Sequence, residues 1–256
     1  MNKKNIKVAL VIGHSEDSQG AMNKKYNMTE FKFNEKLVDD IFNEIQEHYT
    51  NIIPIKVYRE SYNELPNQIN SLETDFILSF HCNAFDKKTS GFECLYYHTS
   101  KKSLEMCEVI KYNFNLYVNE YDGNKYDDLI PIRGPKPKTS EDRGGYLLKN
   151  TNAPCVIIES FFIDNDNDLY FFQNGKNYNN LVDSYVKSIE DICKYLFPSY
   201  TILYNQKEEE NKNVDCTNSI KEILNKLYRL KNDWISDIDA IIMQLEEKIE
   251  KGDNNE

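Results

Sequence analysis

The stretch DFILSFHCNAF, residues 75–85, begins as a short apolar run and then presents a histidine. Its length and lack of alternation predict a β-strand buried on both faces, over 75–80, ending at His81. The same pattern recurs on either side. IKVALVI at 6–12 leads into Gly13-His14, and CVIIE at 155–159 ends in Glu159. IIPIKVY at 52–58 and GFECLYY at 91–97 read as further strands, with Pro54 pointing to an edge position or a strand start. From Glu30 to Tyr49, the positions of Leu37, Val38, Ile41, Phe42 and Ile45 follow helical spacing. Further helices are predicted over 65–73, 102–120 and about 177–197. Strands alternating with helices predict an α/β fold: a mostly parallel open sheet with helices on both faces.

Two segments interrupt this pattern. Residues 13–28 are polar and loop-like. Residues 122–145 mix glycines and prolines with charges and predict a long surface loop, a feature that in compact domains is functional or mobile. Pro198 closes the alternating pattern, so the first domain is read as 1–200. Residues 201–214 form a charged linker. In 215–256, Ile220, Leu224, Leu227, Trp234, Ile238, Ile242, Leu245 and Ile249 predict one long amphipathic helix. Its apolar stripe suits oligomerisation through 215–250, packing back on the first domain, or a targeting surface that includes Trp234.

The chain has 256 residues and a formal net charge of −11, which argues against nucleic acid as a partner. No segment approaches the roughly 20 apolar residues of a membrane span. The start, MNKKN, is basic, but the apolar run behind it is too short for a signal peptide, so synthesis in the cytoplasm is expected. Six scattered cysteines (Cys82, Cys94, Cys107, Cys155, Cys193 and Cys216) include no C-x-x-C pair and read as buried free thiols.

His14, His81 and Glu159 all end β-runs, and Glu30 opens a helix that the 13–28 loop can bring to the same edge. In an open parallel sheet, the carboxyl ends of the strands line a common crevice. Two histidines and one carboxylate match a catalytic zinc set, which leaves a fourth position for water. Zinc lowers that water's pKa from about 16 to about 7. A second carboxylate must then carry the proton to the leaving group, and Glu159 fits by position. Taken singly, each residue also has a plainer reading as a loop histidine, a helix cap or a surface charge. His48 and His98 read as structural.

These segments resemble the zinc-dependent N-acetylmuramoyl-L-alanine amidase family of autolysins and phage endolysins. The resemblance rests on VALVIGHS, TEFKFNEKL, SFHCNAF (the family's His-x-Asn-Ala), GFECLYY and YLLKNTNAPCVIIESFFIDN, in order across residues 6–197. It implies one zinc ion on His14, Glu30 and His81, with Glu159 as the catalytic carboxylate. It also implies peptidoglycan as substrate, cut between N-acetylmuramic acid and L-alanine. Asn83, Arg133 and Arg143 are then candidates for substrate contact, the arginines because the substrate is anionic; a solvated-loop reading of both arginines stays open. GHS in place of Gly-His-Gly and ESFF in place of Glu-x-Gly-Phe are departures that bear on loop shape, and this wording is similar to clostridial phage endolysins. The resulting expectation is a phage lytic enzyme that acts on the wall after release. The alternatives are a host autolysin or an inactive wall-binding protein with this fold. Other zinc peptidases fit poorly, because H-E-x-x-H is missing.

Overall fold

The computed structural model describes residues 5–120 and 130–205. A six-stranded sheet runs through this region in the order β4-β1-β5-β8-β6-β7. Its strands are β1 (Ile6–Ile12), β4 (Ile52–Val57), β5 (Phe76–Asn83), β6 (Phe92–Tyr97), β7 (Ile132–Lys138) and β8 (Cys155–Phe162). β1 pairs in parallel with β4 and β5, and β5 with β8. β6 is antiparallel to β8 and parallel to β7. The sheet is therefore mostly parallel, as expected. Pro54 does lie on an edge strand, where a missing N–H removes no ladder bond.

Strand parity divides the core in two. Leu10, Leu78, Val156 and Ile158 face a thick layer carrying Leu37 and Ile41 of α1 (Glu30–His48), Ile110 of α3 (Lys101–Phe114) and Ile189 of α6 (Gly175–Leu196). Ala9, Val11, Ile77 and Ile157 face the opposite way. They pack under only two short helices, α2 (Leu65–Asn70) and α4 (Gly145–Asn150). Burying an aliphatic side chain of this kind contributes about 1.5–3 kcal/mol, so both layers stabilise the sheet. The second layer is small, and beyond it the sheet face is open. Parity carries Ser79 and His81 onto this face after Ile77, and Glu159 after Ile157.

Several elements differ from the sequence expectation. The predicted loop at 122–145 contains β7. Its IRGPKPK sequence reads as loop because Pro135 and Pro137 interrupt it, yet an edge strand bonds on one side only and tolerates both. Within 13–28, a small antiparallel ribbon joins β2 (Met22–Asn23) to β3 (Met28–Thr29). Helix α5 (Asp166–Gln173) also went unpredicted. Asn165 caps it by accepting hydrogen bonds from the Asn167 and Asp168 N–H groups. The predicted helix at 102–120 is α3 followed by a π-helical turn over Asn115–Asn119.

Residues 201–205 pack against the start of β4. Asn51 donates to the Thr201 carbonyl and accepts from Leu203 N–H, at 2.8 Å each. Five cysteines are buried free thiols, as predicted, whereas Cys216 lies outside the described residues. The same holds for the C-terminal helix and for the linker beyond Asn205. No helix among the described residues is long and apolar enough to cross a membrane.

Candidate active site

The site is assembled at the carboxyl ends of β1 and β5. β1 runs out at Ile12, and Gly13 N–H donates to the Phe80 carbonyl at 2.9 Å, which draws the turn against β5. A Cβ on Gly13 would lie 2.5 Å from that oxygen and 2.7 Å from the His81 ring, so only glycine allows this approach. His14 then adopts a left-handed backbone with φ 69°. For a residue with a side chain, this conformation costs on the order of 1 kcal/mol. Ser15, where the family wording has glycine, forms a bridge to Ser18 in the tight turn that follows.

Glu30 is the first residue of α1. Thr29 caps that helix by accepting from Lys32 N–H, and its hydroxyl donates to Gln19 Oε1 at 2.6 Å, which ties the 13–28 segment to the helix start. The Glu30 carboxylate is 2 % exposed and lies between two imidazoles. Oε1 is 2.9 Å from His81 Nδ1, and Oε2 is 3.0 Å from His14 Nε2. Cys82 N–H and Ala21 N–H donate to the same carboxylate at 3.2 and 3.3 Å. Burial pushes this carboxyl up, but the two imidazoles outweigh burial and hold it well below the usual carboxylate range.

Glu159 is the register partner of His81 across β5 and β8, and Glu93 is the partner of Glu159 across β8 and β6. Cross-strand partners share a face, so the three titratable residues form one row. Burial raises Glu159 to about 7; His81 opposes the rise and the Glu30 charge adds to it. Burial lowers His81, but its hydrogen bond to Glu30 and the charges of Glu159 and Glu30 leave it raised. The row borders a cleft of about 470 Å³.

Could these residues hold a metal ion? One donor atom each from His14, Glu30 and His81 lies within 4.8 Å of the others, the one such cluster found among the described residues. Ligands about 2.0–2.1 Å from a tetrahedral ion stand about 3.3 Å apart, so small adjustments suffice. His14 Nε2 is buried and has no hydrogen bond, although it faces the Glu30 oxygen at ion-pair distance. A nitrogen and an oxygen that converge without a shared proton suit a cation between them. Gly20, with φ +74°, leaves this space clear, since a Cβ there would lie 2.6 Å from Glu30 Oε2 and from the His14 ring. The donor set fits a zinc ion.

The remaining sequence candidates are placed differently. Asn83 lines the cleft and accepts Ala84 N–H through its side-chain oxygen. Arg143 also lines it. Arg133 is not among the lining residues; its guanidinium pairs with Glu93 and lies 5.2 Å from the Phe162 ring centroid. His48 pairs with Glu44 and lies away from the cleft, as does His98. Sequence reading overlooked Glu93, Arg59, Lys138 and Tyr62, all of which line the cleft. Only Glu93 carried a signal, as a lone charge inside the apolar run GFECLYY.

Fold and site together define an α/β hydrolytic domain with a His–Glu–His donor set at the ends of its strands. A sequence model of the N-acetylmuramoyl-L-alanine amidases matches residues 8–191, and the chain belongs to that family. It is accordingly an enzyme of peptidoglycan amide hydrolysis. A comparison with curated proteins gives no match. Among solved structures, an N-acetylmuramoyl-L-alanine amidase from Clostridium difficile 630 is similar, with TM-score 0.64 and 18% identity over 73% of this chain and 96% of that one. AmiC2 of Nostoc punctiforme gives TM-score 0.61 and 15% identity over 75% and 98%. The catalytic domain of the CD27L endolysin, which targets Clostridia difficile, gives TM-score 0.57 and 21% identity over 73% and 98%. At these identities the likeness is one of fold.

Proposed function

We propose that the chain cleaves the amide between N-acetylmuramic acid and L-alanine, with one zinc ion held by His14, Glu30 and His81 and with Glu159 as general base. The observation that carries this reading is the convergence of three donor atoms, from His14, Glu30 and His81, beside the Glu159 carboxylate on the adjacent strand. When bound, zinc would supply Lewis acidity to the water and to the scissile carbonyl. Glu159 has a buried oxygen, Oε2, without a hydrogen-bond partner. Its pKa near 7 lets it take the water's proton and release it to the leaving alanine amine.

The lytic role is read as that of a phage endolysin, on the ESFF and GHS wording. Neither departure disturbs the site. Phe161, where the family has glycine, is fully buried between Phe33 and Phe172, and Ser160 shares a 2.7 Å hydrogen bond with Tyr185. Gene neighbourhood tests this role: an adjacent holin gene would support it, and a sporulation or division neighbourhood would overturn it in favour of a host autolysin.

Mass spectrometry of digested cell wall, with and without chelator, tests bond and metal together. New L-alanine amino termini should appear, vanish on chelation and return with zinc. Glu159→Gln should keep its metal while turnover falls by roughly 10²–10⁴. His81→Ala should lose metal and activity together. A near-normal rate for Glu159→Gln removes it from the mechanism.

A further inference from the structure

The cleft gathers three cationic side chains, Arg59, Lys138 and Arg143, although the chain as a whole carries −11. Arg59 follows β4, Lys138 ends β7, and Arg143 lies in the turn before α4. Three separate segments thus bring three cations to one cleft, and Arg59 and Arg143 both lie near Tyr62. Nearby, Arg133 and Lys136 share the buried Glu93 carboxylate. Arg59, Lys138 and Arg143 have no ion pair or side-chain hydrogen bond among the described residues. Like charges that share a cleft without direct ion pairs repel one another, and a bound anion relieves that repulsion.

This part of the cleft is also braced. Tyr62 and Tyr146 lie ring to ring, with centroids 5.7 Å apart, and the Tyr146 hydroxyl donates to the Asn63 carbonyl at 3.1 Å. This joins the segment after β4 to α4. Burial raises the Tyr62 hydroxyl, and the Arg59 and Arg143 charges oppose that rise, so both guanidinium groups act on the same ring. Arg143 also lowers His81 and Glu159 electrostatically, which sets this cation close to the reacting groups.

We infer that Arg59, Lys138 and Arg143 form a carboxylate subsite that selects stem peptides by the free α-carboxylate of their second residue, a γ-linked glutamate. The inference rests on the proposed muramoyl–L-alanine specificity. Beyond the scissile amide, that carboxylate is the first negative charge along the stem peptide. Amidation of the same position, which leaves a neutral carboxamide, removes the charge that the guanidinium groups would pair with in bidentate fashion. The subsite therefore discriminates between free and amidated stems.

The test uses the full chain loaded with zinc and two N-acetylmuramoyl tripeptides that differ only in whether this carboxyl is free or amidated. The parent should favour the free acid in kcat/KM by about tenfold or more. In the double variant Arg59→Gln/Arg143→Gln the preference should shrink to within about twofold. The ratio is the readout, because it cancels any effect of Arg143 on Glu159 that both substrates share. Lys149→Gln, an exposed charge on α4 outside the cleft, should keep the parent's ratio. Calorimetry with the two free tripeptides measures the same selectivity without turnover. Equal rates and equal binding in the parent overturn the subsite, as does a double variant that retains the preference. Selective binding without cleavage of either substrate would instead overturn the amidase reading and leave the subsite standing.

Discussion

Glu30 and Glu159 are carboxylates on one site with opposite electrostatics. Glu30 faces two imidazoles and stays ionised, whereas Glu159 is buried beside it and is raised to about 7. This separation matches two roles, a ligand and a proton carrier. It also has a consequence for stability in chelator-treated protein. A carboxyl whose folded pKa lies above its unfolded value near 4.5 is harmless below that pH and becomes a penalty as pH rises through about 7. Glu159→Gln should therefore gain stability over the parent between pH 4.5 and 8, by on the order of 2–3 kcal/mol, and match it in acid. Urea midpoints across that range check this, and a pH-independent difference contradicts it.

Among the elements, the 13–28 segment closes the site rather than merely linking β1 to α1. Thr29, Gln19 and the short β2–β3 ribbon hold it against the start of α1, and Gly20 passes beside His14 and Glu30. Gly20→Ala adds a methyl at positive φ into this approach. It should cost about 1 kcal/mol of stability and lower zinc affinity about tenfold or more, read by competition with a chromogenic chelator. An unchanged affinity would show that the loop does not shape the donor set. β7 matters for another reason, because its end delivers Lys138 to the cleft and its middle delivers Arg133 and Lys136 to Glu93. A segment that reads as loop thus supplies charge to both the row and the cleft.

Across the whole domain, a polar knot holds the segment around Tyr204 to α6. Glu190 is buried on α6. It accepts from the Tyr49 hydroxyl at 3.2 Å and from the Tyr204 hydroxyl, and it pairs with Lys194 at 2.6 Å and Lys187 at 3.3 Å. Burial pushes its carboxyl up, but Lys187, Lys194 and Tyr204 overcome this and bring it down to about 2. A lowered pKa means stability present above about pH 4.5 and lost as pH falls through about 2. Glu190→Gln should destabilise the protein at pH 7 by on the order of 2–3 kcal/mol, and the difference should narrow towards pH 2. Thermal melts in both ranges test it, and a gap that widens in acid contradicts it.

The strands that carry the site were legible because their apolar runs are short, unbroken and bounded by polar residues. Each of β1, β5 and β8 is largely buried, and a polar residue that breaks such a run stands out, although β5 and β8 continue past His81 and Glu159 to Asn83 and Phe162. His14, His81 and Glu159 were visible in this way, and Glu30 was visible as the start of an amphipathic helix. Local sequence therefore determined the fold class and singled out the four residues that the structure brings together. What only the tertiary structure decided is which side of the sheet lies open and what else lines the cleft. Arg59, Tyr62 and Lys138 sit in segments without periodicity, and their common location depends on edge-strand pairing and on two short helices leaving part of one face uncovered. A charge on a loop has no local signature of its partner, because the field it experiences is set by residues distant in sequence.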